Sequence, residues 1–451
     1  MLAPRRFSPR LLPLLLAAGC TAATVGKIPG TSQDSADTAT HDTAHDDTAD
    51  TDDTDSWTAP VWDPDALPAS MPTVAIEIDA AAMARLDADP YDAPDERGVF
   101  VDGDGVTHEV DLSYRGAYAL RNVMNRYDLR NWKVKFDGDD LYQGRREWNF
   151  NYEPHFRQKL AYDLFRFAGV AVPGAQHVVL TLNGEYQGMY LRYEDPDNKT
   201  WLAHEFGDDD GDLYKAAYDI PDQPQCFADL TVLGPDDADY VCHYAKKTNN
   251  NGDDETDFAT LRAFISALNG VPNDELEGWI ETDLALDSLR STLVVGNFIA
   301  NWDGYPLRPK NYWLYQDPRA DRMVFIPWDL DASFGPDPDG TFNQMGATAP
   351  VFFDLLENDY RPVNDGEGTE RPLVRRPMGL ASQQAAYLAR YRELHEGVLS
   401  AAYLEDRLDA LTAIAEPELS DTDRERLAAA NVTLRRFIRA RSEVVTAELA
   451  E

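Results

Sequence analysis

The stretch Leu289–Gly335 reads LRSTLVVGNFIANWDGYPLRPKNYWLYQDPRADRMVFIPWDLDASFG and changes its apolar period partway along. Leu289, Leu293, Val294, Phe298 and Ile299 recur at helical spacing. The loop Asn301-Trp302-Asp303-Gly304-Tyr305 breaks that run. Asn311–Tyr315 and Met323–Trp328 then alternate as strands around Asp317-Pro318-Arg319-Ala320-Asp321, which predicts a hairpin. The second strand runs straight into Asp329-Leu330-Asp331. On extended backbone the two carboxylates would point the same way, and the apolar Phe325-Ile326-Pro327-Trp328 would fix them by burial.

A rigidly mounted loop acid, a nearby Asn, a hairpin and acids after its second strand match the order of phosphoryl-transfer sites in protein kinases. In those sites one Asp takes the acceptor proton, while an Asn and another Asp hold the metal that neutralises phosphate charge. Mg²⁺ prefers hard oxygen donors and takes one or two carboxylates, leaving the rest to water and phosphate. Asp329 and Asp331 supply that count.

The chain has 451 residues, 43% hydrophobic and 27% charged, enough for more than one core. Its net charge is −39, which argues against nucleic acid as a partner. Arg5, Arg6 and Arg10 precede the apolar Leu11–Ala18, a segment too short to span a bilayer. It ends Leu16-Ala17-Ala18-Gly19-Cys20, which resembles a bacterial lipobox with Cys20 as the lipidated residue; an ordinary secretory signal is the alternative. The expectation is a signal segment over 1–20 and an exported, membrane-anchored lipoprotein at an outer membrane or cell surface. Residues 21–70 read as a disordered Asp/Thr-rich tether, since TSQDSADTATHDTAHDDTADTDDTDS holds almost nothing to bury. Cys226 and Cys242 either pair, as an oxidising compartment allows, or stay as buried thiols.

Pro72–Asp79 alternates as a strand and Ala80–Asp87 reads as a helix. Val99–Val101 and His108–Arg115 flank an Asp-Gly turn. Asn131–Phe136 (NWKVKF) sets Lys133 and Lys135 on one face and Trp132, Val134 and Phe136 on the other. His155–Ala168 has helical spacing, and Asn183-Gly184 joins a further hairpin, Val178–Leu182 with Tyr186–Glu194. The stretches YRGAY, NWKVKFD, FRQKLAYDLFRFAGV, VVLTLNGEYQGMYLRYEDPD, GDLYKA, NWDGY…NYWLY and FIPWDLDASFG, in this order, resemble the CotH (spore coat protein H) kinase family.

That resemblance implies an α+β, atypical two-lobed protein-kinase-like fold with a helical C-terminal extension. It would span 71–451, with a first lobe at 71–218, a Cys-containing insertion at 219–256 and a second lobe at 257–451. It implies ATP and Mg²⁺ (or Mn²⁺) as cofactors and phosphorylation of protein Ser or Thr, here on an envelope or surface protein. By position, Asp303 would be the proton acceptor. Asp329, Asp331 and Asn311 would hold metal. Lys133 or Lys135 would meet the phosphates, with Arg115 beside them and Glu194 near the base.

From Ser382 onward helices dominate: Tyr387–Val398, Tyr403–Ile414 and Asp421–Ala450, the last with Ser420 as its cap. Arg435, Arg436, Arg439 and Arg441 read as a basic patch on a solvated face. Two other readings stand beside the kinase. One is a catalytically silent kinase-like adhesin. The other is a phosphatase, because FIPWDLDAS has the strand-then-Asp-x-Asp order of haloacid dehalogenases. AMP transfer in place of phosphoryl transfer is a further variant of the first.

Overall fold

A computed structural model describes residues 63–450 except 64, 91–92, 117–128, 139, 217–225, 250–256, 336–345 and 357–369. Cys20 and the low-complexity segment lie outside the described residues. The placed chain begins ahead of residue 71, however. Arg166 donates to the Asp65 carboxylate at 2.9 Å, Arg407 donates to the Asp65 carbonyl, and Leu67 packs on the core. Among the described residues no helix is long and apolar enough to cross a membrane.

The fold is α+β. Seven strands close into a barrel: β1 (Thr73–Ile78), β2 (Glu96–Val101), β3 (Thr107–Tyr114), β4 (Trp132–Phe136), β5 (Glu147–Tyr152), β6 (Ala175–Leu182) and β7 (Glu185–Tyr193), in the order β1-β2-β3-β4-β5-β7-β6. The β1–β6 pair that shuts it is parallel. Alternation puts Val74, Ile76, Phe100, Leu112, Trp132, Val134, Trp148, Phe150 and Leu180 into a closed interior core. The same alternation turns Lys133, Asn149 and Tyr193 outward. The outer face of β6 and β7 packs against the helix Arg157–Phe167 through Val179, Met189, Leu191 and Leu164, as part of a second, larger core.

That second core surrounds a four-stranded sheet ordered β11-β10-β8-β9, built from β8 (Leu213–Ala216), β9 (Tyr244–Lys246), β10 (Tyr312–Asp317) and β11 (Arg322–Pro327). The hairpin read from sequence is β10–β11, with Tyr312 opposite Pro327. Its turn is held by Asp317, whose carboxylate accepts from the Arg319 and Ala320 amides. The helix Leu286–Phe298 lies beneath it. Helices Ala259–Gly270, Leu276–Asp283, Pro372–Met378, Ala381–Glu396, Ala401–Ala415 and Asp421–Leu449 complete the unit.

The last helix reaches back to the barrel. Ser420 caps it by accepting from the Asp423 amide at 3.2 Å. Asp423 in turn accepts from Tyr152 at 2.9 Å and from Tyr186 at 2.8 Å. Gly188 makes the close approach possible: it sits at φ +120°, and a Cβ there would stand 2.6 Å from the Tyr152 ring. Of the four arginines expected on a solvated face, Arg436 and Arg439 are exposed and Arg435 half-buried, but Arg441 is not on it. Arg435 pairs with Asp409 and Arg439 with Glu405 on the outer face. Arg441, two residues on and so on the opposite side of the helix, is fully buried. It donates to the Ala349 carbonyl and to Asn297, tying that segment to the helix Leu286–Phe298.

Candidate active site

The site lies at the open end of the β10–β11 hairpin, opposite the outer face of β4, β5 and β7. Asn311 and Asp329 bracket the hairpin, and the Trp328 amide donates to the Asn311 carbonyl at 3.0 Å. Both residues adopt left-handed backbone, at φ +58° and +52°. Asn and Asp tolerate that region better than other side-chain-bearing residues, so the turn geometry and the site chemistry call for the same residue types.

Asp303 follows the helix Leu286–Phe298 on the loop before β10. Asn311 Nδ2 donates to its Oδ2 at 2.9 Å and to its carbonyl at 3.0 Å. Lys310 Nζ stands 2.9 Å from Oδ2 and Arg308 3.4 Å from Oδ1. The side chain thus pairs with two cations, and 14% of it is open to solvent. Because Asn311 spends its amide hydrogens on Asp303, its Oδ1 is left as an oxygen donor facing elsewhere.

The loop is gripped from behind. Arg371, buried at 3% exposure, donates to the carbonyls of Tyr305 at 2.8 Å and Leu307 at 3.0 Å. On the other side Cys226 and Cys242 form a disulfide. The segment it closes meets the loop three times: Ala228 N donates to Pro309 O, Tyr312 OH to Ala228 O, and Tyr305 OH to Asp229 O at 2.9 Å.

Burial lifts the Asp329 carboxyl above its usual range; Asp303 adds to the lift, while Arg115, Lys310 and Lys215 pull against it. Asp331 is pushed up further, through loss of hydration first and then by Asp329, Asp303 and Glu153. Asp331 still keeps an exposed surface, so the facing carboxylates are the better account of its shift. Clustered acids of this kind are relieved by a divalent cation, and the donors present, Asp329, Asp331 and Asn311 Oδ1, are hard oxygens that suit Mg²⁺ or Mn²⁺. They do not form a closed cage. Among the described residues the acid, His and Cys sets that converge within 4.8 Å are Cys226, Cys242 and His243, and the exposed turn Asp208–Asp210. A site completed by water and phosphate fits the more open arrangement.

Across from these acids the barrel presents Asp195, just past β7 and 8% exposed. Asn149 donates to it at 3.2 Å and Lys133 stands 3.7 Å away. Burial raises its pKa, but Lys133, Lys215 and Arg115 together lower it by more, so the carboxyl lies below its usual range. Arg115 donates to Asn151 at 2.5 Å and to Tyr193 OH. Lys133 also pairs with Glu147 at 2.6 Å.

Of the residues singled out in the sequence, Asp303, Asn311, Asp329, Asp331, Arg115 and Lys133 come together. Lys135 does not join them. It lies one side-chain repeat further along β4 and pairs with Asp95 at 2.7 Å. Glu194 also turns away. Strand alternation puts Tyr193 and Asp195 on the site face and Glu194 on the other, where it accepts from Arg145 at 2.5 Å and from the Gly174 amide at 2.7 Å. Asp195, Lys215 and Lys310 were not singled out as site residues. The first two lie inside YEDPD and GDLYKA, so the signal was present in stretches already marked.

A family model described as CotH kinase protein matches residues 112–445. The chain is 27% identical over 237 residues to the inner spore coat protein H of Bacillus subtilis (strain 168), an alignment covering 51% of this chain and 60% of that protein. The chain therefore spans about three fifths of the length of the curated relative it matches.

Proposed function

The chain belongs to the CotH kinase protein family, and from that premise we propose that it is a metal-dependent atypical kinase that transfers the ATP γ-phosphate to Ser or Thr of an envelope or surface protein. In this reading the barrel and the sheet-and-helix unit are the two lobes of a kinase-like fold, and residue Cys20 anchors the exported protein to a membrane by lipid. The observation that carries it is the convergence of Asp303, Asn311 and Asp329 from the hairpin end with Arg115, Lys133 and Asp195 from the outside of the barrel.

Asp303 is the base. An acceptor hydroxyl gives its proton to Asp303 Oδ1, the oxygen that Asn311 and Lys310 leave open, as its own oxygen bonds to the γ-phosphorus. The bond from that phosphorus to the bridging oxygen breaks, and ADP leaves. Lys310 and Asn311 fix the carboxylate so that its free lone pairs meet the acceptor. Asp329, Asp331 and Asn311 would hold a divalent cation, which would neutralise phosphate charge when bound. Arg115 and Lys133 face the phosphates from the barrel, while Lys135 and Glu194 are occupied elsewhere and take no part.

The experiment is incubation of the protein with γ- and α-labelled ATP, Mg²⁺ or Mn²⁺, and an extract of its own envelope. Label transferred from the γ-position alone supports the kinase. Label from the α-position means AMP transfer, and no transfer with either label leaves the adhesin.

A further inference from the structure

We infer that Lys215, on β8 of the four-stranded sheet, is the principal lysine that grips the nucleotide phosphates; the inference rests on the ATP-dependent reading above and names a residue of the same site. The lysines of β4 are already committed. Lys133 is ion-paired with Glu147 at 2.6 Å and Lys135 with Asp95 at 2.7 Å. Lys215 is different. Among the described residues no carboxylate stands within ion-pair distance of its ammonium.

Its nearest described partners are two indoles. Nζ lies 4.9 Å from the centre of the Trp313 ring and 5.8 Å from that of Trp328. Register explains the arrangement: Lys215 sits directly opposite Trp313 in the β8–β10 pair, so both side chains leave the same face of the sheet. Trp328 directly precedes Asp329, so the ammonium is delivered to the metal-holding end of the hairpin.

Stripping water from an ammonium without supplying an anion is costly. Two aromatic faces recover part of that cost without neutralising the charge. Arg115 completes the picture from the barrel side. Among the described residues its guanidinium bonds to the neutral Asn151 and Tyr193. Both cations act electrostatically on Asp195, and neither forms an ion pair with it among the described residues. The result is one cation from the barrel and one from the sheet, neither ion-paired among the described residues, which suits a polyphosphate lying between them.

The test is the affinity of the full-length chain for ATP, ADP and adenosine, measured calorimetrically in Mg²⁺ for the parent, Lys215→Met and Lys215→Arg. Lys215→Met should bind ATP and ADP roughly 10- to 100-fold more weakly and adenosine as the parent does. Lys215→Arg should keep most of the parent's preference for ATP over adenosine. Lys215→Gln, which retains the stem between the indoles, carries the same expectation should the Met variant fail to fold. A Met or Gln variant that keeps the parent's ratio of ATP to adenosine affinity overturns the assignment and leaves the kinase reading intact. So does an equal loss for all three compounds, which marks Lys215 as a packing residue. A parent with no affinity for ATP or ADP overturns the kinase reading, and this inference with it.

Discussion

Replacing Cys226 and Cys242 together by Ala removes a cross-link between residues 16 apart in sequence. The chain-entropy relation, evaluated for a loop of that length, gives about 3 kcal/mol of lost stability at 25 °C. For a domain of this size each kcal/mol moves the melting point by roughly 2 °C or somewhat less, so a fall of about 4–6 °C is expected. A second effect follows from where the closed segment sits. Ala228 and Asp229 contact Tyr305, Pro309 and Tyr312, on the loop between Asp303 and Asn311 and at the start of β10. Loosening that grip should displace the base without touching Arg115, Lys133 or Lys215. Misplacement of a reacting group by about 1 Å costs up to roughly 100-fold in rate. Phosphoryl transfer assayed well below the melting point should therefore drop by more than tenfold while ATP affinity stays near the parent's. Thermal melts, nucleotide titration and labelled transfer on one preparation separate the two effects. A variant that melts lower yet transfers phosphate at the parental rate would show that the loop does not depend on the disulfide-closed segment.

Asp303→Asn should lower transfer by about 10²- to 10⁴-fold and leave Mg²⁺–ATP binding largely intact, whereas Asp329→Ala should weaken metal-dependent nucleotide binding along with turnover. Near-normal transfer by Asp303→Asn would remove it as the base. Gly188→Ala should destabilise by about 1–3 kcal/mol, because its φ and the Tyr152 ring both oppose a Cβ; a denaturant melt reads it. His177 has its pKa lowered from 6.5 to about 4, by burial first, with Lys159 and His155 adding to the shift and Glu153 opposing it. The unfolded imidazole takes a proton below about 6.5 that the folded one refuses until about 4. Stability should therefore fall by roughly 3 kcal/mol as pH drops through that window, and be unaffected by His177 above it. His177→Gln should flatten that part of a stability-versus-pH curve, and an unchanged slope would reject the assignment. Cys20→Ser should move the protein from the membrane to the soluble fraction; an unchanged membrane fraction speaks against the lipobox.

What was legible in the sequence is what neighbours in the chain decide. The β10–β11 hairpin follows from alternation and an Asp-Pro turn, and Asn311 and Asp329 occupy backbone that few other residues adopt. Lys133 and Lys135 were readable as one face of β4, but not which would meet the site. That depends on Glu147 and Asp195 arriving from β5 and from the end of β7. Lys215 was hidden for a similar reason. GDLYKA marks the family but not the role of this lysine; that role comes from Trp313 and Trp328, about a hundred residues away. The four arginines of the last helix show the limit of counting charge along a chain, since Arg441 serves the interior. The helix Leu276–Asp283 is eight residues long with Glu277, Glu281 and Asp283 exposed, too short to show a period.

The bond from Asp423 to Tyr152 and Tyr186 has a consequence for the order in which the molecule can be built. The carboxylate lies 271 residues after one tyrosine and 237 after the other. Arg407 reaches back 244 residues to Asp163, and Arg390 reaches back 222 to the Ala168 carbonyl. During synthesis the barrel strands leave the ribosome well before the helices that fasten them. At the usual pace of elongation, about 5–20 residues per second, the interval is roughly 10–50 s. Through that interval the outer face of β6 and β7 has no C-terminal helix against it. Contacts of such long sequence separation form slowly even once both partners exist. A chain cut short before Ser420 would keep every residue assigned to phosphate transfer and still lack the fastening between its first strands and its last helix, so truncations from this end should be degraded or aggregate before they can be assayed for activity.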